Sequence, residues 1–182
     1  MFIQTETTPN PNTLKFLPGV EVLGNATAFY TSKSAANGSP LALALFDIEG
    51  VNAIFLGSDF ITVTRAEQFG WEVLKPALLT AIMEHFVAKR NVINETSAKI
   101  ELSGDHSELE KQIIELIDTR VRPAVAMDGG DIIYHSFEDG IVKLEMHGSC
   151  SGCPSSTATL KNGIENMLKH YIPEVVAVEA VA

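Results

Sequence analysis

A chain of 182 residues is long enough for one large or two small domains, and 46% hydrophobic with 20% charged residues is a globular composition, which excludes a disordered segment as its main character. The formal net charge is −10. There are 11 acids against 7 bases up to Ser107 and 12 against 6 beyond it, so neither part is basic, which argues against nucleic acid or an anionic membrane as a partner.

No apolar run reaches the length of a membrane span. The start, Met1-Phe2-Ile3-Gln4-Thr5-Glu6, has no basic region before an apolar core and is not Arg-rich, so neither a secretory signal nor a transit peptide is expected. Two cysteines are too few for a disulfide framework at this size, and a reducing, cytosolic setting follows as the expectation.

Residues 1–7 read as a strand, and Thr8-Pro9-Asn10-Pro11-Asn12 as a turn, because two prolines and two asparagines break any ladder. Residues 13–17 resume as a strand, ended by Pro18-Gly19. Residues 31–40 are rich in Ser, Ala, Asn and Gly and read as a loop. Leu41 to Phe46 alternates like a strand but consists of Ala, Leu and Phe; Ser39 as cap and Pro40 at the first position favour a short helix. Residues 51–56 and 60–64, β-branched and aromatic around Gly57-Ser58-Asp59, read as a hairpin. Trp71, Leu74, Leu78, Ile82 and Phe86 recur at helix spacing, with Pro76 a candidate kink; the stripe is core rather than a cofactor site. Residues 89–106 are polar and weakly periodic, with Ile93 and Ile100 as their few apolar anchors. This divides the chain into a domain at 1–88, a linker at 89–106 and a second domain at 107–182.

Ser107-Glu108-Leu109-Glu110 is a capping-box pattern opening a helix with Leu109, Ile113, Leu116, Ile117 and Val121 on its buried face; Pro123 should end or bend it. Asp128-Gly129-Gly130-Asp131 reads as a turn. Residues 132–137 and 141–147 form a hairpin about Glu138-Asp139-Gly140. Leu160, Ile164, Leu168 and Tyr171 mark a second helix, and a valine-rich strand closes the chain. The fold class is α+β: two small domains, the second α-β-β-α-β with its helices packed on one face of a small mixed sheet.

The only two cysteines, Cys150 and Cys153, sit in Gly148-Ser149-Cys150-Ser151-Gly152-Cys153-Pro154-Ser155-Ser156, where a strand turns into a helix. Pro154 suits the helix's first turn, and Ser155, Ser156 and Thr157 can serve its free N–H groups. Such a position favours thiolates, and the small residues predict an exposed, adaptable loop rather than a core segment. Cys-x-x-Cys by itself fits half of a zinc site, half of an iron–sulfur site or a dithiol switch. Four ligands are usual for the first two, so a nearby histidine or a second chain would complete the set. His147 makes His-x-x-Cys-x-x-Cys conceivable, but strand alternation puts it opposite Met146 and it reads as a surface residue, as does His135. A thioredoxin-like dithiol also follows a strand, but here the motif comes late and lacks the β-α-β unit and the aromatic residue that often precede it. Asp128 and Asp131 are too few for a hard-cation site. No nucleophile triad, phosphate loop or paired acid and base carboxylates stand out, and no enzyme is expected.

Val121-Arg122-Pro123, Asp128-Gly129-Gly130-Asp131 and the run from Gly148 through Thr159-Leu160-Lys161 to Gly163-Ile164-Glu165 resemble the C-terminal domain of NifU, the Nfu-type iron–sulfur scaffold and carrier. Phe2-Ile3-Gln4-Thr5-Glu6, Thr8-Pro9-Asn10-Pro11-Asn12, Leu14-Lys15-Phe16, Pro18-Gly19 and Asp59-Phe60-Ile61-Thr62-Val63 resemble the N-terminal domain of bacterial and mitochondrial Nfu proteins. The resemblance implies a carrier that accepts or assembles a [4Fe–4S] cluster, or a [2Fe–2S] cluster, on Cys150 and Cys153, and passes it to apo iron–sulfur clients downstream of other assembly proteins. It implies an N-terminal domain that recognises partners, and a bacterial cytoplasmic or, for a processed eukaryotic form, mitochondrial matrix location. Two thiolates per chain supply half of a Cys₄ cluster, so a homodimer bridged by the cluster satisfies the count. A dithiol oxidoreductase and a zinc-binding interaction module are the alternatives.

Overall fold

In the computed structural model, which describes residues 2–94, 106–152 and 154–181, β1 (Gln4–Thr7) and β2 (Thr13–Leu17) pair antiparallel across the expected turn. Asn10, almost wholly buried, holds that turn: its Oδ1 accepts from the Asn12 N–H at 3.0 Å, and Thr8 Oγ1 donates to the Asn10 carbonyl at 2.9 Å. Further on, α1 (Pro40–Phe46) is the short helix favoured over a strand: Ser39 Oγ accepts from the Ala42 N–H at 3.1 Å and Pro40 occupies the first position. The hairpin of β4 (Val51–Leu56) and β5 (Ile61–Arg65) follows. β5 also pairs with β2, and a strand absent from the sequence reading, β3 (Ala28–Tyr30), pairs with β4. Three residues are too few to display alternation, so only the waiting edge of β4 defines β3. The order is β1-β2-β5-β4-β3, antiparallel throughout.

α2 (Trp71–Val87) runs unbroken through Pro76, which in the second turn forfeits a single N–H bond. Its Leu74, Leu78 and Ile82 join Leu41 and Leu45 of α1 and Phe16, Ile54, Leu56 and Ile61 of the sheet in one core. Residues 89–94, placed by the sequence in the linker, are tied to this unit. Ser39 Oγ donates to the Val92 carbonyl at 2.6 Å, the Asn94 N–H donates to the Gly38 carbonyl at 2.8 Å, and Val92 and Ile93 pack against the core. The remainder of that expected linker up to residue 105, Ile100 included, lies outside the described residues.

The chain divides into two units, Met1–Ile100 and Glu101–Ala182. The second opens with α3 (Glu108–Leu116) and its capping box: Ser107 Oγ accepts from the Glu110 N–H at 3.3 Å while Glu110 Oε2 accepts from the Ser107 N–H at 2.8 Å. Pro123 neither ends this helix nor stops its course. The turn before it, Ile117–Val121, widens into a π turn in which the Arg122 N–H bonds the Ile117 carbonyl, and α4 (Arg122–Met127) continues with Pro123 near its start. A proline cannot bond the carbonyl four residues back and crowds it; the wider turn accommodates both. Ile113, Ile117, Val121 and Val125, each four residues on, stay buried through it.

β6 (Gly130–Glu138) and β7 (Ile141–Gly148) form the second hairpin, with Asp139 and Gly140 both at positive φ, +52° and +79°, as a two-residue turn of the twist-matched type demands. β8 (Ala177–Val181) pairs parallel with β7, and α5 (Pro154–Tyr171) makes the crossover that a parallel pairing requires. The sheet, β6-β7-β8, is therefore mixed. Ile132, Tyr134, Val142, Leu144, Met146 and Val178 from the strands meet Ile113, Ile117, Val125, Ile164 and Leu168 from the helices in one core. The α-β-β-α-β order is the one expected.

Candidate metal centre

Gly130, the first residue of β6, lies directly opposite Gly148, the last of β7. With no side chain on either, the sheet ends in a notch. Gly148, at φ +65°, reverses the chain there, and Ser149 and Cys150 fold back toward the sheet. The Ser149 N–H donates to the Gly129 carbonyl at 3.2 Å, and Ser149 Oγ donates to the Asp128 carbonyl. Thr157 Oγ1, from the first turn of α5, donates to the Cys150 carbonyl at 3.1 Å.

Cys150 is consequently 6% exposed and belongs to the core of the second unit. Its sulfur fits the notch so closely that a Cβ on Gly130 would stand 2.5 Å from it. Burial pushes the thiol up to about 11, with the Asp128 and Asp131 charges adding to the effect and the Ser149 hydroxyl opposing it. The exposed, thiolate-favouring loop expected from the small residues is thus not what surrounds Cys150. The two facing glycines leave a hole, and filling it outweighs the attraction of a nearby helix start. Cys153 lies outside the described residues.

The other candidates are placed separately. His147 projects from the outer face of β7, opposite in sense to buried Met146, and its Nε2 lies 2.9 Å from Glu145 Oε1; its side chain retains 16% exposure, so it is more enclosed than a plain surface residue. His135 is exposed on β6. Asp128 is exposed, whereas Asp131 is buried and grips Arg122: Nε to Oδ1 and Nη2 to Oδ2, both 2.8 Å, with the Ile132 N–H also donating to Oδ1. These two carboxylates therefore do not converge on a cation. Arg122 also reaches Asp118 at 3.2 Å, and the Asp131 carboxylate holds its guanidinium above the usual arginine range. Among the described residues no group of three or more His, Cys, Asp or Glu side chains is gathered to hold an ion.

The Arg122–Asp131 fork was missed in the sequence. It joins α4 to β6 across nine residues and has no periodicity of its own; the only signal was a charged residue at the start of a strand with one face buried.

A thiol buried and protonated at neutral pH is poorly suited to attack a disulfide, since the thiolate is the nucleophile. The Cys loop is preceded by the β6-β7 hairpin and not by a β-α-β unit, as expected, and it lies within one, β7-α5-β8. As a ligand, the thiol gives up its proton to a soft metal that binds it, so its raised pKa does not bar that role.

The description "Scaffold protein Nfu/NifU N terminal" matches residues 3–90 and "NifU-like domain" matches residues 113–179. A curated protein named "NFU1 iron-sulfur cluster scaffold homolog, mitochondrial" from Drosophila persimilis is 53% identical over 184 residues, covering 100% of this chain and 65% of the relative. The protein of the same name from Drosophila sechellia is 50% identical, with 100% and 65% covered. The chain thus spans a little under two-thirds of the length of these relatives. The solution structure of a NifU-like protein from Saccharomyces cerevisiae is 29% identical, covering 52% of this chain and 86% of that one, at a TM-score of 0.45.

Proposed function

The chain belongs to the Nfu/NifU family, an Nfu-type N-terminal domain followed by a NifU-like domain, and on that premise we propose that it is an iron–sulfur cluster scaffold, a carrier rather than an enzyme. It holds a cluster on Cys150 and Cys153 and passes it to apo-proteins. The observation that carries this reading is the position of the chain's only two cysteines, three residues apart in the run 148–156 inside the NifU-like domain. Similarity along the whole chain to proteins named as iron–sulfur cluster scaffolds supports it.

Two thiolates per chain satisfy half of a four-thiolate cluster, so the cargo is a [4Fe–4S] cluster bridging two copies, at about one cluster per dimer. A cluster held between chains on single loops can be surrendered, which suits delivery. The partners are apo iron–sulfur clients, approached with help from the N-terminal domain, and the assembly proteins upstream. The relatives' names place those proteins in mitochondria, and we assign this chain to the mitochondrial matrix in preference to a bacterial cytoplasm. No helix of the described residues is long and apolar enough to cross a membrane.

The test is iron, zinc and acid-labile sulfide analysis of protein purified without oxygen, together with sizing chromatography. Iron and sulfide in equal amounts on a dimer are expected. Zinc without sulfide would make the protein an interaction module, and neither metal nor sulfide after reconstitution would remove the scaffold reading.

A further inference from the structure

A cluster shared between two chains has to meet each cysteine sulfur at a surface. Cys150 lies instead beneath its own loop, 6% exposed, with its sulfur in the notch over Gly130. Two side chains tie the loop down: Ser149 through Oγ to the Asp128 carbonyl, and Thr157 through Oγ1 to the Cys150 carbonyl at 3.1 Å. Resting on the scaffold reading, we propose that Ser149 and Thr157 are positioning residues that hold Cys150 withdrawn, and that the thiol meets a cluster only when residues 148–152 turn outward.

The segment is built to move as a unit. Gly148 and Gly152, at its two ends, have φ of +65° and +80°. Glycine leaves that region for another without the penalty a Cβ would impose, so both ends can serve as pivots. A Cβ on Gly152 would meet nothing within 4 Å among the described residues. The inner side is the opposite. A Cβ on Gly130 would stand 2.5 Å from the sulfur, 2.9 Å from the His147 carbonyl oxygen and 3.2 Å from the Cys150 nitrogen. The sulfur thus takes the space that a side chain at residue 130 would need, and that fit defines the withdrawn position. Turning out breaks the few hydrogen bonds of the loop, the Ser149 N–H to the Gly129 carbonyl among them, and touches β7 only at its last residue, Gly148. Withdrawal shields the thiol from oxidants and stray soft metals, and makes loading and release a conformational step.

Alkylation reads this directly. With Cys153→Ser the chain keeps Cys150 as its single thiol, and its reaction with N-ethylmaleimide is compared in the folded protein and in urea at one pH. The folded protein should react at least about tenfold more slowly. Thr157→Val, nearly isosteric, and Ser149→Ala should each accelerate the folded protein by up to about tenfold, the worth of one buried hydrogen bond, while the urea stability of the second unit falls by no more than that same amount. Gly130→Ala should also accelerate it, by displacing the sulfur. Should Ser149→Ala or Gly130→Ala fail to fold, Thr157→Val carries the comparison. A folded protein that reacts as fast as the unfolded chain would overturn withdrawal, and rates unchanged by both hydroxyl removals would overturn the role given to Ser149 and Thr157. Alkylation needs no cluster. Slow alkylation in a protein that takes up no iron and sulfide would refute the scaffold reading alone.

Discussion

Removing Arg122 strands a buried carboxylate. Asp131 is 2% exposed and takes both prongs of the guanidinium at 2.8 Å, so Arg122→Met leaves a charge with only part of its hydrogen bonding. Breaking a buried pair from one side costs about 3–5 kcal/mol, and about 2–3 is expected here because the Arg122 end is partly exposed. Urea unfolding of the second unit measures it; a loss under about 0.5 kcal/mol, the range of ordinary surface changes, would show that the fork carries no weight. The cysteines behave differently. On the proposed bridging arrangement Cys150→Ala or Cys153→Ala would remove two of four thiolates, and either should abolish stable retention of iron and sulfide. His147→Ala should retain both, because its ring points to the outer face of β7 and meets Glu145. Bleaching of the reconstituted protein by His147→Ala would make that histidine a ligand.

Helix α3 is fastened at its first turn. Glu110 closes the capping box with Ser107 and accepts from the Tyr134 hydroxyl at 2.7 Å, joining the helix to β6. The Ser107 N–H first, then the Tyr134 and Ser107 hydroxyls, hold the Glu110 carboxyl down at about 2, below its ordinary 4.5. A depressed carboxyl contributes stability that is complete above its unfolded pKa and is lost as pH falls through the folded one. The advantage of the natural chain over Glu110→Gln should therefore be full above pH 4.5 and fade between 4.5 and about 2. Urea midpoints of both proteins across that range test the sign; a gap that widens on acidification would contradict it. Ser107→Ala should cost about 1 kcal/mol, as a lost cap does. This junction was half legible. The Ser-x-x-Glu spacing announced the box, while the bond to Tyr134 depends on how α3 lies over β6.

The second unit has its own core and both cysteines, so residues 107–182 expressed alone should fold and take up a cluster. Circular dichroism and iron analysis of that fragment decide the matter; an unfolded fragment would mean that the halves share a core and that the division at 89–106 is misplaced. Residues 89–94 already lean on the first unit, so an N-terminal fragment ending at 88 should be less stable than one ending at 94. Ser39 Oγ would lose the Val92 carbonyl, and Val92 and Ile93 would no longer cover the core. A polar segment with two anchoring apolar residues looks like a linker until its docking surface is known.

Local pattern was enough for the parts that depend on near neighbours. The two hairpins, the caps at Ser39 and Ser107, the helix starts at Pro40 and Pro154 and the α-β-β-α-β order all rest on interactions spanning a few turns or a single loop, and the residues that make them are adjacent in the chain. The resemblance to NifU likewise rested on short runs that the sequence displays whole. Tertiary structure alone decided β3, the π turn before Pro123, the grip of Arg122 on Asp131 and the withdrawal of Cys150. Each of these is settled by what another element places opposite: a free strand edge, a face to be kept buried, a carboxylate on the next strand, a pair of glycines at the end of a sheet. The small residues around Cys150 made the loop look exposed, and it was the hole left by Gly130 and Gly148, distant in sequence and opposite in space, that drew the sulfur in.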